Sequence, residues 1–308
     1  MKIVCLDALT LGSDANLDIF KKYGEFVSYE TTSADKTIER LKDADIVITN
    51  KVLITEEVMA NTNLKLICVS ATGVNNIDLE AAKKRGIPVK NVAGYSTNSV
   101  VQQTFAGLFM LTNNMSYYSE YVSSGEWVKS DIFTNLDKPI MEIAGKKFGI
   151  IGLGTIGKKV ATIAENFGCE VSYYSTSGRN SSDEFKKVSL DTLLKECDII
   201  SIHAPLNENT KDLIGENELN RMKNGAILMN FGRGGIVNEK ALAKAVDEKS
   251  LKAVLDVLEN EPMIENHPLL NVKNRQNLII TPHIAWGSIE ARKTLVEMIA
   301  KNIEEFLN

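Results

Sequence analysis

Six short apolar runs recur between Phe148 and Thr281: Phe148–Ile151, Glu170–Tyr174, Asp198–His203, Ala226–Asn230, Ala253–Val257 and Leu278–Thr281. Each is rich in apolar or β-branched residues and is bounded by Gly, Asn, Asp or Pro, and helical patterns fall between most of them. This repetition of strand and helix predicts βα units around a parallel sheet. Six strands is the count of a full mononucleotide-pair sheet. The first third of the chain repeats the theme. Lys2–Leu6, Asp45–Thr49 and Leu64–Val69 read as strands. Ala15–Tyr23 and Asp78–Arg85 read as helices, the second stopped by Gly86 and Pro88. The fold class expected is therefore α/β, with two Rossmann-like, doubly wound parallel-sheet domains.

Thr97–Asn114 has helical spacing and many apolar residues, which suits a buried helix joining the two domains. Ser288–Leu307 is amphipathic and follows the end of the second sheet. It is expected to return to the first domain and make that domain discontinuous. The boundaries expected are 1–96 with 288–308 for one domain and 97–287 for the other.

Within the second series, Phe148-Gly-Ile-Ile151 runs into Gly152-Leu-Gly-Thr-Ile-Gly157 and then an apolar-periodic helix. Three glycines at this spacing are common in turns, but here the strand precedes them and the helix follows, as a phosphate-binding turn requires. Gly152 permits the tight turn, Gly154 lets backbone approach a pyrophosphate, and Gly157 lets helix and strand pack closely. The helix N-terminus adds free N–H groups and a partial positive charge.

Three later segments follow second-sheet strands: Asn230–Val237, Leu255–Pro262 and Thr281–Trp286. Ligands of open α/β sheets bind at such strand ends. The segments carry Arg233, Asp256, Glu261 and His283 towards the crevice of the glycine turn. Arg233 can grip a carboxylate with its bidentate fork. Histidine is the usual proton donor near neutral pH, so His283 suits protonation of a carbonyl oxygen as hydride arrives. Glu261 can pair with His283 and orient its ring, and Asp256 is placed for a nicotinamide carboxamide.

Bulk properties exclude several other classes. The 308 residues carry a formal net charge of −5 and no basic block, which argues against nucleic acid and anionic membrane partners. Asp7 interrupts the first apolar stretch, so no signal peptide is read, and no run approaches the roughly 18 apolar residues of a membrane span. A cytoplasmic protein is expected. Cys5, Cys68, Cys169 and Cys197 are scattered, which gives neither metal nor disulfide spacing and favours buried thiols.

From end to end the chain resembles the D-isomer-specific 2-hydroxyacid dehydrogenase family. The resemblance rests on Gly152–Gly157, Ser201-Ile-His-Ala-Pro-Leu206, Asn230–Val237, Asp256–Pro262 and Pro282-His283. It implies hydride transfer between NAD or NADP and a small 2-keto or 2-hydroxy acid, with hydroxypyruvate and glyoxylate as first guesses. It also implies a flavodoxin-like substrate domain, an inserted nucleotide domain and a homodimer. The family's catalytic Arg, Glu and His fall on Arg233, Glu261 and His283. Its cofactor contacts fall on Thr155, Ile156, Ala204, Pro205, Phe231, Gly232 and Asp256. Ser70–Asp78 resembles its substrate loop, with Thr72 and Gly73 offering N–H groups to the carboxylate, and Tyr95 resembles a substrate-side wall.

Two departures stand out. Gln102-Gln103 occupies a place where the family often has Glu-His. Ser175 stands where an acidic residue usually meets the adenosine ribose; with Thr176 and Arg179 nearby, appreciable use of NADPH is expected. One alternative is a non-enzymatic NAD(P)-sensing module, against which the Arg, Glu and His weigh together. Another keeps the enzyme and changes the donor to formate or phosphite.

Overall fold

Every strand pairing in the protein is parallel, in two separate sheets. A computed structural model describes all 308 residues, which divide into two units: Met1–Ser96 with Trp286–Asn308, and Thr97–Ala285.

In unit 1 the strands are β1 (Lys2–Cys5), β2 (Glu25–Ser28), β3 (Ile46–Thr49), β4 (Leu66–Val69) and β5 (Val89–Lys90), in the order β2-β1-β3-β4-β5. This is the flavodoxin-like order, whose switch point lies between β1 and β3. Helices α1 (Thr37–Leu41), α2 (Glu56–Ala60) and α3 (Leu79–Lys84) connect them. Alternate side chains sort to the two faces, as the pleat requires. Val4, Val47, Ile67 and Val69 enter one core with residues of α2 and α3. Ile3, Cys5, Ile46, Ile48, Leu66 and Cys68 enter the other, which the C-terminal helix covers with Leu295, Val296, Ile299 and Ile303. Both faces are buried, so these strands are apolar throughout. Trp286 belongs to this unit because its ring packs edge-on against Tyr95, with centroids 6.2 Å apart.

Unit 2 begins with α4 (Thr97–Thr112) and α5 (Met115–Ser123). The expected single helix over 97–114 ends early because Asn114 takes a left-handed conformation, φ 50°, and a second helix starts after it. Then come β6 (Lys147–Ile151), α6 (Thr155–Asn166), β7 (Glu170–Tyr174), β8 (Lys186–Lys187), α7 (Leu190–Glu196), β9 (Ile199–Ile202), α8 (Glu216–Arg221), β10 (Ile227–Asn230), α9 (Glu239–Glu248), β11 (Lys252–Leu255) and β12 (Leu278–Ile280); α10 (Ile289–Leu307) returns the chain to unit 1. The sheet order is β12-β11-β10-β9-β6-β7-β8. The switch point lies between β6 and β9, so the loops after β6, β9, β10, β11 and β12 share one sheet edge.

Three expectations need correction. The second sheet has seven strands, because β8 is two exposed lysines at an edge and carries no apolar signal. β2 and β5 are likewise short edge strands. Residues 15–23 form a 3-10 helix over Leu17–Tyr23, whose three-residue repeat stacks Leu17, Phe20 and Tyr23 on one side. No helix is long and apolar enough to cross a membrane.

Candidate active site

The glycine turn sits at the switch point of unit 2. Gly152 has φ +93°, and a Cβ there would lie 2.9 Å from the backbone of Ala204. A Cβ at Gly157 would lie 2.2 Å from the carbonyl oxygen of Gly152. These two positions therefore need glycine for backbone conformation and close packing. Gly154 is the N-cap of α6, is exposed, and has open space where its Cβ would be. Thr155 and Ile156 follow in the first helical turn, whose N–H groups have no helical acceptors. This is a cradle fitted to a diphosphate: open at Gly154 and backed by a helix N-terminus.

Ala204 and Pro205 follow β9 beside that turn, and His203 donates its N–H to the Ile151 carbonyl at 2.8 Å. The His203 ring is hydrogen-bonded to Ser201 Oγ at 2.8 Å and stacks on Phe231, with centroids 6.4 Å apart. Its Nδ1 is buried with no partner, and burial pulls its pKa down to about 3. Part of the residue stays accessible, but Nδ1 does not and Nε2 is engaged by Ser201, so the neutral ring is the form held here.

At the end of β7, Ser175 is buried. Its Oγ accepts the Asn180 N–H at 3.3 Å, and its carbonyl accepts the Gly178 N–H. Thr176 is half-buried, and Arg179 is exposed without an ion pair. No acidic side chain stands at the strand end.

After β10, Asn230 folds the arginine loop. Its Nδ2 donates to the Arg233 carbonyl at 2.9 Å, and its Oδ1 accepts the Gly232 N–H at 3.1 Å. Arg233 is half-buried and has no ion-pair partner; its guanidinium donates to the Gly232 carbonyl at 2.8 Å. A half-buried cation left without a carboxylate is a ready anion site.

After β11 and β12 the structure joins Glu261 to His283: Oε2 lies 2.7 Å from Nδ1, with side chains 29% and 27% exposed. Glu261 Oε1 accepts the Leu258 N–H at 3.0 Å, which turns the carboxylate back over its own loop. His283 has φ +53°, a conformation unusual for a side chain of this size. Asp256 explains how it is held. The Asp256 carbonyl accepts the His283 N–H at 2.8 Å. Its carboxylate accepts Thr281 Oγ1 at 2.6 Å and the N–H groups of Ile284 and Ala285, both at 2.9 Å. Burial pushes the Asp256 carboxyl above its ordinary range, opposed by those hydrogen bonds. At 2% exposure it organises the histidine loop from beneath.

In unit 1, the Ser70–Asp78 loop follows β4. Thr72 Oγ1 donates to the Val92 carbonyl at 3.0 Å, and Asn91 Nδ2 donates to the Thr72 carbonyl at 2.7 Å. Thr72 and Gly73 thereby lie on a loop braced by the segment that leads to Tyr95. The loop after β3 is held by Asp7, whose carboxylate accepts the N–H groups of Asn50, Lys51 and Val52 at 2.7–3.2 Å. Asn230 and Asp7 have functions of assembly, visible only through their partners. The four cysteines are all buried and free; burial raises the thiols of Cys5 and Cys68 to about 12 and that of Cys169 to about 11, and raises that of Cys197 too, which favours the protonated thiol.

Residues 105–285 match the family described as D-isomer specific 2-hydroxyacid dehydrogenase, NAD binding domain. The chain is 36% identical over 315 residues to a hydroxypyruvate reductase of Blautia hydrogenotrophica, covering 100% of this chain and 97% of the relative. It is 37% identical over 309 residues to a glycerate dehydrogenase of Methylorubrum extorquens, covering 99% and 96%. Among solved structures, an acyclic imino acid reductase in complex with NADPH and D-Arg superposes with a TM-score of 0.86 at 29% identity, covering 100% of this chain and 97% of that one. The chain belongs to the D-isomer-specific 2-hydroxyacid dehydrogenase family and is an NAD(P)-dependent oxidoreductase acting on a CH–OH donor.

Proposed function

We propose that this enzyme interconverts a small 2-keto acid and its 2-hydroxy acid, with hydroxypyruvate or glyoxylate as the first candidates for the keto acid. The observation that carries the reading is the Glu261–His283 pair at 2.7 Å, on the loops after β11 and β12, with the unpaired Arg233 on the loop after β10, the neighbour of β11. Hydroxypyruvate is put first because the hydroxypyruvate reductase and the glycerate dehydrogenase are covered over 97% and 96% of their length, against 82% for a glyoxylate reductase of Thermococcus litoralis at 38% identity.

The dinucleotide would lie on Gly152, Gly154, Thr155, Ile156 and Gly157, with Ala204, Pro205, Phe231, Gly232 and Asp256 along its course. When bound, it supplies or takes up the hydride. Arg233 binds the substrate carboxylate. By resemblance to the family, Thr72, Gly73 and Tyr95 of unit 1 are also assigned to the substrate. His283 keeps one ring proton on Nδ1, against Glu261; in reduction the doubly protonated ring gives its Nε2 proton to the carbonyl oxygen and is left neutral. In oxidation the same Nε2 takes the proton from the hydroxyl. Glu261 keeps the tautomer and stabilises the ring while it is charged. Ser175, Thr176 and Arg179 favour acceptance of a 2′-phosphate, so NADPH is used appreciably beside NADH.

The working form proposed is a homodimer. Between α5 and β6, Val128, Ile132, Phe133, Leu136 and Ile140 are exposed, Val128 and Phe133 to 90% and 88%. Such a run of large apolar side chains marks a surface that another chain covers. Four unpaired thiols suit the cytoplasm. The test is oxidation of NADH and NADPH by a panel of hydroxypyruvate, glyoxylate, pyruvate and phosphohydroxypyruvate, with formate and phosphite as alternative donors to NAD. Turnover of a keto acid is expected; activity only with formate or phosphite would replace this reading. Sedimentation should give a dimer, and Phe133→Asp should shift it towards monomer.

A further inference from the structure

Beside the Glu261–His283 pair lies a second carboxylate–imidazole pair that the proton transfer does not use. Glu239 opens α9, and His267 caps the short 3-10 turn Pro268–Asn271. Glu239 Oε2 and His267 Nε2 are 2.7 Å apart, with side chains only 10% and 3% exposed. Burying a charge this deeply is a poor route to stability in its own right, since apolar residues of the same volume would do as well or better. What the pair holds is therefore informative.

His267 Nδ1 accepts the Leu269 N–H at 3.3 Å, so the ring proton resides on Nε2 and points at Glu239. The other Glu239 oxygen, Oε1, accepts the Glu259 N–H at 2.7 Å, a short charge-assisted bond. Glu259 lies two residues before Glu261, whose carboxylate is itself held by the Leu258 N–H. Glu239 also follows Arg233 by six residues, and the arginine loop presses on the same backbone: a Cβ at Gly234 would lie 1.9 Å from the Leu258 carbonyl oxygen. The carboxylate of Glu239 thus ties the two loops together where they touch, and His267 occupies the oxygen that would otherwise let it rotate.

We propose that Glu239, locked by His267, is a positioning residue that holds the Glu259–Glu261 loop against the Arg233 loop and so sets the Glu261–His283 pair in register with the guanidinium. This rests on the reading of Arg233, Glu261 and His283 given above. An error of about 1 Å in such placement can cost about a hundredfold in rate, and the glycine turn lies outside the clamp.

The test uses the full-length enzyme with four variants. Glu239→Ala and His267→Leu break the clamp, whereas Glu239→Gln keeps an acceptor for the Glu259 N–H and His267→Gln keeps a donor towards Glu239. The kcat for hydroxypyruvate, measured below each variant's melting temperature, should fall roughly 10- to 100-fold in the first two. It should fall less in Glu239→Gln and stay within about threefold of wild type in His267→Gln, the same placement argument setting the scale. The Kd for NADH should be unchanged throughout. Wild-type kcat in both Glu239→Ala and His267→Leu, with only the melting temperature lowered, overturns the proposal. If Glu239→Ala does not fold, the contrast between His267→Leu and His267→Gln decides in the same way. A second readout separates this idea from the activity reading. The chain has only three histidines, so the imidazole NMR signals can be assigned by substitution. The hydrogen-bonded Nδ1 proton of His283 should shift or broaden in Glu239→Ala and His267→Leu and persist in His267→Gln. An unchanged His283 signal in the broken-clamp variants overturns the proposal even if the wild type turns over no keto acid, an outcome that would sink the activity reading alone.

Discussion

His283 is defined by what its neighbours leave it. Nδ1 is committed to Glu261 and the main-chain N–H to Asp256, so Nε2 is the ring atom with a proton to trade. His283→Ala should therefore lower kcat by about 10²–10⁴ while the Kd for NADH holds; stopped-flow binding together with steady-state rates would check both, and near-normal kcat would remove His283 from the reaction. Ser175 invites a second substitution. Its hydroxyl closes the turn to Asn180, and the neighbouring Arg179 has no ionic partner, so the strand end lacks the charge that repels a 2′-phosphate. Wild type should use NADPH appreciably, and Ser175→Asp should shift kcat/KM towards NADH. A wild type favouring NADH more than about a hundredfold, roughly 2.7 kcal/mol, contradicts this. The placing of Arg233, Glu261 and His283 after β10, β11 and β12 was legible in the sequence, because each follows an apolar run that reads directly as a strand. Asn230, Glu239 and His267 were not. An asparagine, a glutamate and a histidine in loops have many uses, and only their partners reveal the one realised here.

Elements were legible in proportion to their burial. β3, β4, β9 and β10 are buried at every position, so each reads as an unbroken apolar run. β5 and β8 are two residues each, carry lysines and sit at sheet edges, where pairing is satisfied without any apolar pattern. The loops after β10 and β11 meet at Gly234, where close backbone approach admits no side chain. Gly234→Ala should force those loops apart and lower kcat/KM for the keto acid by at least tenfold, about 1.4 kcal/mol, with the Kd for NADH retained. Unchanged kinetics would show that the loops can separate without consequence. Nothing in the string Arg-Gly-Gly tells which of the two glycines has this duty, since Gly235 instead takes φ +77°.

For the protein as a whole, His203 should leave a mark on stability. Unfolded, its imidazole takes up a proton near 6.5; folded, burial delays that to about 3. Between those values the unfolded state binds the extra proton, so the stabilising contribution is full above about 6.5 and is lost as pH falls. The loss is up to about 1.4 kcal/mol for each pH unit in that window. Urea unfolding of wild type and His203→Phe from pH 7.5 to 4.5 should show the wild type falling more steeply; parallel curves would mean that the ring is already charged or is solvated in the folded state.

The sequence by itself determined the parallel α/β class, the glycine turn with its strand and helix, and the chemical types at three strand ends, because apolar periodicity and local backbone demands are properties of neighbouring residues. Only the tertiary structure decided the strand orders, the break at Asn114 between α4 and α5 and the clamp of Glu239 on Glu259 and His267. Those depend on which distant groups share one buried place, where an unpaired polar atom is costly and each donor must find its own acceptor.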